Sequence, residues 1–528
     1  MSKNLFFLLV LLLLPFINVK SVKAFYPEPD FFTQDDQYFL HTVERGQTVY
    51  SISVMYRVTV DDIHRLNPQS KTVIRVGEAL KIPQISGSYI YHTIQSGDTL
   101  YNVSQKYQVK GEYIIAANPG LSVKTFSIGK IIRIPVNIVS QFPQGGNDSL
   151  NRSRTNSLLS QTYIPKEVNM INVALLLPFG LKENIDTTRE TREKMTEYLE
   201  GFLMAEKSIK KDKISVHLQI YDIGTGIGEI PAILSKSEMQ GIHLLIGGLS
   251  EEQIKLLSRF ASEKEIPYLI PLTSQTNEPL YNSNVYQINT PHSHLHSKAS
   301  LAFINKYERD NIIIVSDNAS SSNQKDFIDI LKRDLQERGI QFKTVTMGAN
   351  FRNDINILLN KTGKNVIVTC DDTSEPLSRI IPPLKSLLDS QPSLSLSLFG
   401  YPNWQVHTAK YSDDFFRLNT TFYAHFYSNP ASSETKVFHS NFYRNYSKVL
   451  SNNFPKFGML GYDTGMYFIR LIHTHGVHFN SKVNDLKYNG VQTDFNFERV
   501  NNWSGFINMN LYFINYNTNR TITKDTIK

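Results

Sequence analysis

Cysteine is almost missing from this chain: there is one, Cys370, among 528 residues. No intrachain disulfide can form, so an exported protein of this size must rely on ordinary hydrophobic cores. Cys370 ends the run Asn365-Val366-Ile367-Val368-Thr369-Cys370, which reads as a strand with a buried thiol rather than a nucleophile. A strong charge of one sign is missing too. The net charge is +7, and residues 1–24 hold three lysines and no acid, leaving +4 for the remainder. That bias is too small to point to nucleic acid. Long apolar runs are confined to Leu5–Ile17, preceded by Lys3 and followed by Val22-Lys23-Ala24. This is the pattern of a secretory signal over residues 1–24, and its 13 apolar residues are short for a membrane span. No Cys follows the run for lipid attachment, and no other run reaches membrane-spanning length, so the mature chain is expected not to span a membrane. Catalytic signatures are missing as well. There is no His-Glu-x-x-His, no Cys–His pair of a lytic module and no phosphate loop, so no catalytic residue, metal or cofactor is assigned.

What is present is a repeat. His41-Thr42-Val43-Glu44-Arg45-Gly46-Gln47-Thr48-Val49-Tyr50 returns 51 residues later as His92-Thr93-Ile94-Gln95-Ser96-Gly97-Asp98-Thr99-Leu100-Tyr101. The register holds through Tyr56/Tyr107 and Asn67-Pro68/Asn118-Pro119, then shifts by one residue at Gly77/Gly129 and Ile82-Pro83/Ile134-Pro135. Such a pattern marks two tandem copies of one small module. In each copy an alternating strand meets a Gly turn, then Gln47-Thr48 or Asp98-Thr99 offers N-cap side chains for a helix. Val49, Ile52 and Tyr56, or Leu100, Val103 and Tyr107, form one apolar stripe. A second helix carries Val60, Ile63 and Leu66, or Tyr113, Ile114 and Ala117, and Asn-Pro stops it. Gly and a closing strand complete a βααβ unit of about 45 residues, near the lower size limit for independent folding.

This pattern resembles the LysM module, most specifically in the second copy, with modules over 39–84 and 90–136. The resemblance implies binding of N-acetylglucosamine-containing glycan, as in peptidoglycan, in a shallow groove between the loop before the first helix and the loop after the second. Carried over, the groove residues are Gly46, Gln47, Thr48, Val49, Asn67 and Pro68 in the first copy. In the second they are Gly97, Asp98, Thr99, Leu100, Asn118, Pro119 and Gly120. Most of these types serve turns and caps in any case, so sugar contacts are expected largely from the backbone they position. Gln47 stands where Asp is usual. Two weak sites in tandem gain by effective concentration when one glycan strand spans both.

Residues 137–169 are rich in Ser, Asn, Gln and Gly and read as a flexible linker. Over 170–528, short apolar strands alternate with amphipathic helices, which indicates α/β architecture with parallel sheets; there are too many strands for one sheet, so two lobes are expected. Asn172-Val173-Ala174-Leu175-Leu176-Leu177-Pro178-Phe179, Ile246-Gly247-Gly248-Leu249-Ser250 and Ile266-Pro267-Tyr268-Leu269-Ile270-Pro271-Leu272-Thr273-Ser274 resemble the type I periplasmic-binding fold. Amino-acid receptors of ABC transporters have this fold. Gly461-Tyr462-Asp463-Thr464-Gly465 and Gly490-Val491-Gln492-Thr493-Asp494 extend the likeness. It implies a small solute between the lobes, held at Gly248, Leu249, Ser250, Thr273, Ser274 and Thr276, where amides and hydroxyls at a helix start suit an anion. Helix capping explains the same Ser and Thr equally well. The amino-group partner expected after Val285–Thr290 is absent: Pro291-His292-Ser293-His294 contains no acid, which argues against an ordinary amino acid.

Six of the fourteen histidines cluster, as His292, His294, His296 and His473, His475, His478, and read as helix-end or surface residues rather than a metal site. Asp463-Thr464-Gly465 matches an aspartic-protease triplet but opens an expected helix, Met466–His473, and is discounted. The aromatic stretches Phe415-Phe416 and Phe422-Tyr423 are expected in cores. The reading is a secreted, periplasmic, wall-associated, non-enzymatic binding protein. A scaffold or activator with a cell-wall synthesis enzyme as partner is the alternative, and a wall hydrolase comes third.

Overall fold

In a computed structural model the chain is described over residues 37–72, 74–85, 87–136, 148–161, 165–181, 188–316 and 324–527. The expected signal over 1–24 lies outside the described residues. The first module runs β1 (Tyr38–Thr42), α1 (Val49–Tyr56), α2 (Val60–Leu66) and β2 (Ala79–Pro83). The second runs β3 (Tyr89–Thr93), α3 (Leu100–Tyr107), α4 (Gly111–Ala117) and β4 (Ile131–Pro135). Each closes as a two-stranded antiparallel sheet, with His41 opposite Leu80 and His92 opposite Ile132. Gly46 and Gly97, at φ +82° and +87°, make the turn that a side chain would strain. Thr48 and Thr99 then cap α1 and α3 by accepting from Ser51 N–H and Asn102 N–H. Tyr113 departs from the expected apolar stripe and is exposed, because α4 turns Gly111 and Ile114 toward the core and Tyr113 away from it.

The repeat encodes matching polar staples. Asn67 Nδ2 donates to Ile63 O (2.8 Å) and Lys81 O (2.7 Å), while its Oδ1 accepts from Lys81 N–H (2.9 Å). Asn118 does the same with Ile114 O (2.7 Å), Arg133 O (2.7 Å) and Arg133 N–H (2.8 Å). Each Asn, buried, thus ties the end of the second helix to the closing strand. Asn118→Ala is expected to cost about 2–4 kcal/mol, since three buried backbone groups lose their partner. Proteolytic cleavage within 90–136 should accelerate sharply in that variant, and cleavage at the wild-type rate would refute the staple.

Three polar contacts join the modules. Thr93 Oγ1 donates to Leu40 O (2.7 Å), Gln84 exchanges two hydrogen bonds with the Tyr91 backbone, and Lys130 pairs with Glu44 (2.6 Å). The stretch expected to be a flexible linker instead carries α5 (Asp148–Ser157) and a 3-10 turn (Leu158–Ser160), while 137–147 and 162–164 lie outside the described residues. Its Ser/Asn-rich composition disfavours an isolated helix; contact with α3 and α4 supplies what propensity lacks.

The rest builds two sheets. Lobe one contains β5 (Met170–Leu177), α6 (Arg189–Ile209), β6 (Ser215–Asp222), α7 (Ile230–Leu234), β7 (Leu244–Gly247), α8 (Glu251–Glu263), β8 (Tyr268–Ile270) and β9 (Val285–Gln287). The chain crosses to lobe two, which holds α9 (His292–Tyr307), β10 (Asn311–Ser316), α10 (Lys325–Glu337), β11 (Phe342–Thr346) and α11 (Phe351–Leu358). It continues through β12 (Lys364–Val368), α12 (Ser374–Ser390), β13 (Ser395–Gly400), α13 (Thr408–Arg417) and β14 (Thr420–Ala424). After α14 (Ser433–Tyr446), α15 (Phe457–His475) returns to pack on α6, followed by β15 (Phe497–Arg499) and β16 (Phe506–Asn508) in lobe one. A third crossing adds β17 (Tyr512–Tyr516) and β18 (Ile522–Thr526) to lobe two.

The sheet orders are β15-β16-β9-β8-β7-β5-β6 and β11-β10-β12-β13-β14-β17-β18. All pairings are parallel except β15–β16, β14–β17 and β17–β18. The expected two-lobed, mainly parallel α/β architecture is therefore what the chain adopts. Phe415, Phe422 and Tyr423 are buried in lobe two as expected. Three sequence expectations change. Cys370 lies two residues past the end of β12 and is half-buried, because the strand stops at Val368. Asp463 lies inside α15, not ahead of a helix, since the helix begins at Phe457. His296 is buried against Phe327 and Tyr423 instead of lying on the surface, because α9 turns that face toward β14.

The modules dock on lobe one. The β15–β16 hairpin inserts Trp503 beside Tyr56 (ring centroids 6.1 Å) and Tyr91 (5.5 Å), and the Arg133 guanidinium lies 5.0 Å from its ring. Asn502 O accepts from Gly120 N–H (2.7 Å), Asn502 Nδ2 donates to Ile131 O (3.1 Å), and Tyr281 donates to Val54 O (2.7 Å).

Candidate functional site

The turn before the first helix is built the same way in both modules, with different chemistry. Gln47 Oε1 accepts from Glu44 N–H (2.9 Å) and lies 2.7 Å from His41 Nε2. Asp98 Oδ2 accepts from Gln95 N–H (2.7 Å) and lies 2.8 Å from His92 Nε2. The other imidazole nitrogen reaches Tyr56 Oη (2.8 Å) or Tyr107 Oη (3.0 Å). Burial lowers the pKa of both histidines, opposed by Gln47 at His41 and by Asp98 at His92. Gln47 therefore substitutes for the usual carboxylate by using an amide oxygen. The side chains of Gln47, Thr48, Asn67, Asp98, Thr99 and Asn118 serve the fold, leaving the turn backbone and nearby apolar side chains to face a ligand.

In module one, Gly46, Gln47 and Thr48 face Ile74, Arg75 and Val76 across a cavity of about 160 Å³. Its outer wall is lobe two: Ser297, Ile330, Arg333, Asp334, Glu337 and Arg338. Space of this order accepts a single ring. Val49 is half-buried against the module core, and Pro68 is exposed at the start of a 3-10 turn. The lobe-two wall was not foreseeable from sequence, since nothing local ties residues 330–338 to residue 46.

Module two differs. Gly97 makes its turn, Leu100 is buried in the core, and Pro119 is exposed. The Gly120 amide is taken by Asn502 O, and a Cβ at Gly120 would meet Arg499 Cδ at 2.6 Å.

The lobe-one loops that would meet a solute are internally bonded. Leu249 N–H and Ser250 N–H both donate to Gln253 Oε1 (3.0 and 3.3 Å), while Ser250 Oγ accepts from Gln253 N–H (3.3 Å). Gln253 is fully buried, and its Nε2 donates to Gly224 O and Gly226 O. Gly248 N–H donates to Leu176 O (3.0 Å). Thr273 Oγ1 accepts from Gln275 N–H and Thr276 Oγ1 from Glu278 N–H. Ser274 lies between those turns. Gln253, missed in the sequence, sits at the third position of the Ser250 capping box; Ser-x-x-Gln was the signal that could have found it. Residues 182–187 and 317–323, which follow β5 and β10, lie outside the described residues. Among the described residues no three His, Cys, Asp or Glu side chains gather as metal ligands, and no helix is long and apolar enough to cross a membrane.

The geometry defines a chain of two small βααβ units followed by two mainly parallel α/β lobes. Comparison with known proteins gives those parts their families. Residues 41–83 and 92–135 match the LysM domain, and residues 216–387 match the receptor family ligand binding region, so the chain carries both. A Bacillus subtilis protein named as a sporulation-specific glycosylase, YdhD, is 39% identical over 97 residues, covering 18% of this chain and 22% of that protein. The secreted LysM effector ELP2 of Colletotrichum higginsianum is 28% identical over 115 residues, 18% of this chain and 65% of that protein. A Staphylococcus aureus protein named as an autolysin, SsaALP, is 28% identical over 90 residues, 15% of this chain and 34% of that protein. The chain thus spans less than two thirds of the length of each. Among solved structures, a branched-chain amino acid ABC transporter periplasmic ligand-binding protein from Burkholderia xenovorans is 11% identical, with a TM-score of 0.44 over 68% of this chain and 94% of that one. A Desulfitobacterium hafniense ABC transporter substrate-binding protein in complex with Leu is 13% identical, with a TM-score of 0.39 over 67% and 99%.

Proposed function

We propose that the chain is an exported, wall-associated binding protein without catalytic activity, whose LysM modules take N-acetylglucosamine-containing peptidoglycan glycan at the residues carried over above. The observation that carries this reading is module one's pair of loops, which face each other across the 160 Å³ cavity. Val43, Ile74, Val76 and Ile330 supply apolar walls for a sugar face or an acetamido methyl, and the Gly46–Thr48 turn supplies polar backbone. Val76 lines the cavity yet is 58% exposed, so its substitution spares the core. Val76→Glu is expected to weaken binding of N-acetylglucosamine oligomers about tenfold or more, because the bound sugar must strip water from a new carboxylate. Calorimetry with the full chain tests this; undiminished affinity would remove the site from module one.

For the two-lobed domain we propose a small solute held at Gly248, Leu249, Ser250, Thr273, Ser274 and Thr276. The saturation of the Leu249 and Ser250 amides by Gln253 favours a second reading, in which the domain is a scaffold that docks a cell-wall enzyme. Native mass spectrometry of the chain separates them: a stoichiometric small molecule lost on denaturation supports the receptor, and a clean apo mass after exposure to wall fragments supports the scaffold.

A further inference from the structure

The second module's groove is not empty of protein. The segment after it, α5 with its 3-10 turn, lies across it and bonds to both walls. On one side, at the first turn of α3, Tyr101 N–H donates to Asn156 Oδ1 (3.0 Å). On the wall after the second helix, Val123 N–H donates to Leu159 O (3.2 Å). Leu158 and Leu159 are half-buried against the module core. Gly111 leaves room for the segment: a Cβ there would meet Thr155 Cγ2 at 2.7 Å and Leu158 Cδ1 at 3.3 Å, with Leu100 Cδ2 at 3.5 Å. Arg152 adds its guanidinium 5.4 Å from the Tyr101 ring.

These contacts are of the kind a glycan would make: an amide oxygen accepting from the first turn of α3, a backbone carbonyl accepting from the loop after α4, and methyl groups between them. Among the described residues, no such segment lies against module one. Its equivalent turn faces a cavity whose far wall is lobe two. Two modules of one sequence pattern are therefore in two different states.

We infer that residues 155–160 are a built-in occupant of the module-two groove, so that glycan binds module one first and reaches module two only by displacing the chain's own segment. This rests on the glycan reading proposed above. A groove available in only a small open fraction binds with an apparent affinity reduced by that fraction. With the open form at about 1–10% of the population, module two is weakened about 10- to 100-fold. Wall anchoring then responds steeply to local glycan density, because the second site engages only where the first has raised the effective concentration.

The test is calorimetry of the full chain with an N-acetylglucosamine tetramer, comparing wild type with Leu158→Ser/Leu159→Ser and with the milder Asn156→Ala, each checked for an unchanged melting profile. The expected result is one tight site in the wild type and two in the double variant, with module two gaining about tenfold or more. Asn156→Ala should move the same way by a smaller factor, and it carries the test if the double variant does not fold. Two sites of equal affinity in the wild type, unchanged by either variant, would overturn the inference and leave the glycan reading standing. Binding at neither module in any protein would sink the glycan reading and the inference with it.

Discussion

Trp503→Ala is expected to release the module pair from the two-lobed domain while leaving both parts folded. Trp503 is 1% exposed and belongs to the core of module one, although it sits on a lobe-one hairpin more than 400 residues away in sequence. Its ring meets Tyr56 and Tyr91, and Arg133 stacks over it from module two, so one side chain joins three units. Burial pushes the Arg133 guanidinium down to about 10, with Tyr89 and Tyr91 opposing. That cation is kept in its site by the aromatic faces around it. Truncating a buried Trp costs about 3–5 kcal/mol, and here the loss falls on an interface. The remaining contacts include Asn502 with Gly120 and Ile131 and Tyr281 with Val54, hydrogen bonds worth about 1 kcal/mol each, together with Arg57 over the Tyr281 ring and Val500 against the module-one core. X-ray scattering should show a larger radius of gyration, and protease should cut between 137 and 169 much faster. Trp503→Phe should restore most of the compactness. An unchanged scattering curve for Trp503→Ala would show that the hairpin does not hold the modules.

That docking was the part of the molecule least legible in the sequence. Both modules and their helix caps followed from a repeat whose two copies check each other; Asn67 and Asn118 were legible only as helix stops, and their ties to the closing strand appear only in the structure. The lobes followed from strand–helix alternation, which is local. Trp503 touching Tyr56, or Asn502 touching Ile131, leaves no periodic trace. Composition misled at residues 148–160, since a Ser- and Asn-rich stretch that is helical only by packing on a neighbour looks like a linker from sequence. The solute residues show a different limit. Ser250 was correctly placed at a helix start, but the same residue type caps a helix or holds an anion, and only the position of Gln253 shows where the amides point.

Acid should loosen the hinge between the lobes. Three chain crossings meet there, joined by side chains: His425 Nε2 lies 2.9 Å from Asn289 Oδ1, Thr290 Oγ1 donates to Asn508 O, and Thr493 Oγ1 donates to His425 O. Burial holds His425 down to about 3 and His296 down to about 4, with the charge of His292 lowering both further and Asp326 opposing at His296. His425 Nδ1 is buried without a hydrogen-bond partner, and the ring is packed by Phe426 and Phe454, so a second proton has no acceptor. In the unfolded chain these imidazoles titrate near 6.5. Between 6.5 and the folded values the unfolded state binds more protons, so stability is full above 6.5 and is lost as pH falls through that window. From pH 7.5 to 4.5 each histidine removes about 2–3 kcal/mol. Asp463 works the other way. It accepts from Tyr488 Oη, Val491 N–H, Gln492 N–H and Thr493 N–H, yet burial raises it to about 6. A raised carboxyl favours the folded state below its unfolded pKa and loses that contribution as pH rises through 6, so acidification returns about 2 kcal/mol. The histidines win by about 3 kcal/mol. His425→Gln retains an amide that can donate to Asn289 but cannot titrate, and it should flatten the acid loss by about 2–3 kcal/mol whatever its stability at pH 7.5. Urea unfolding of the two proteins at the two pH values measures the difference directly, and parallel losses in wild type and variant would take the hinge histidine out of the acid response.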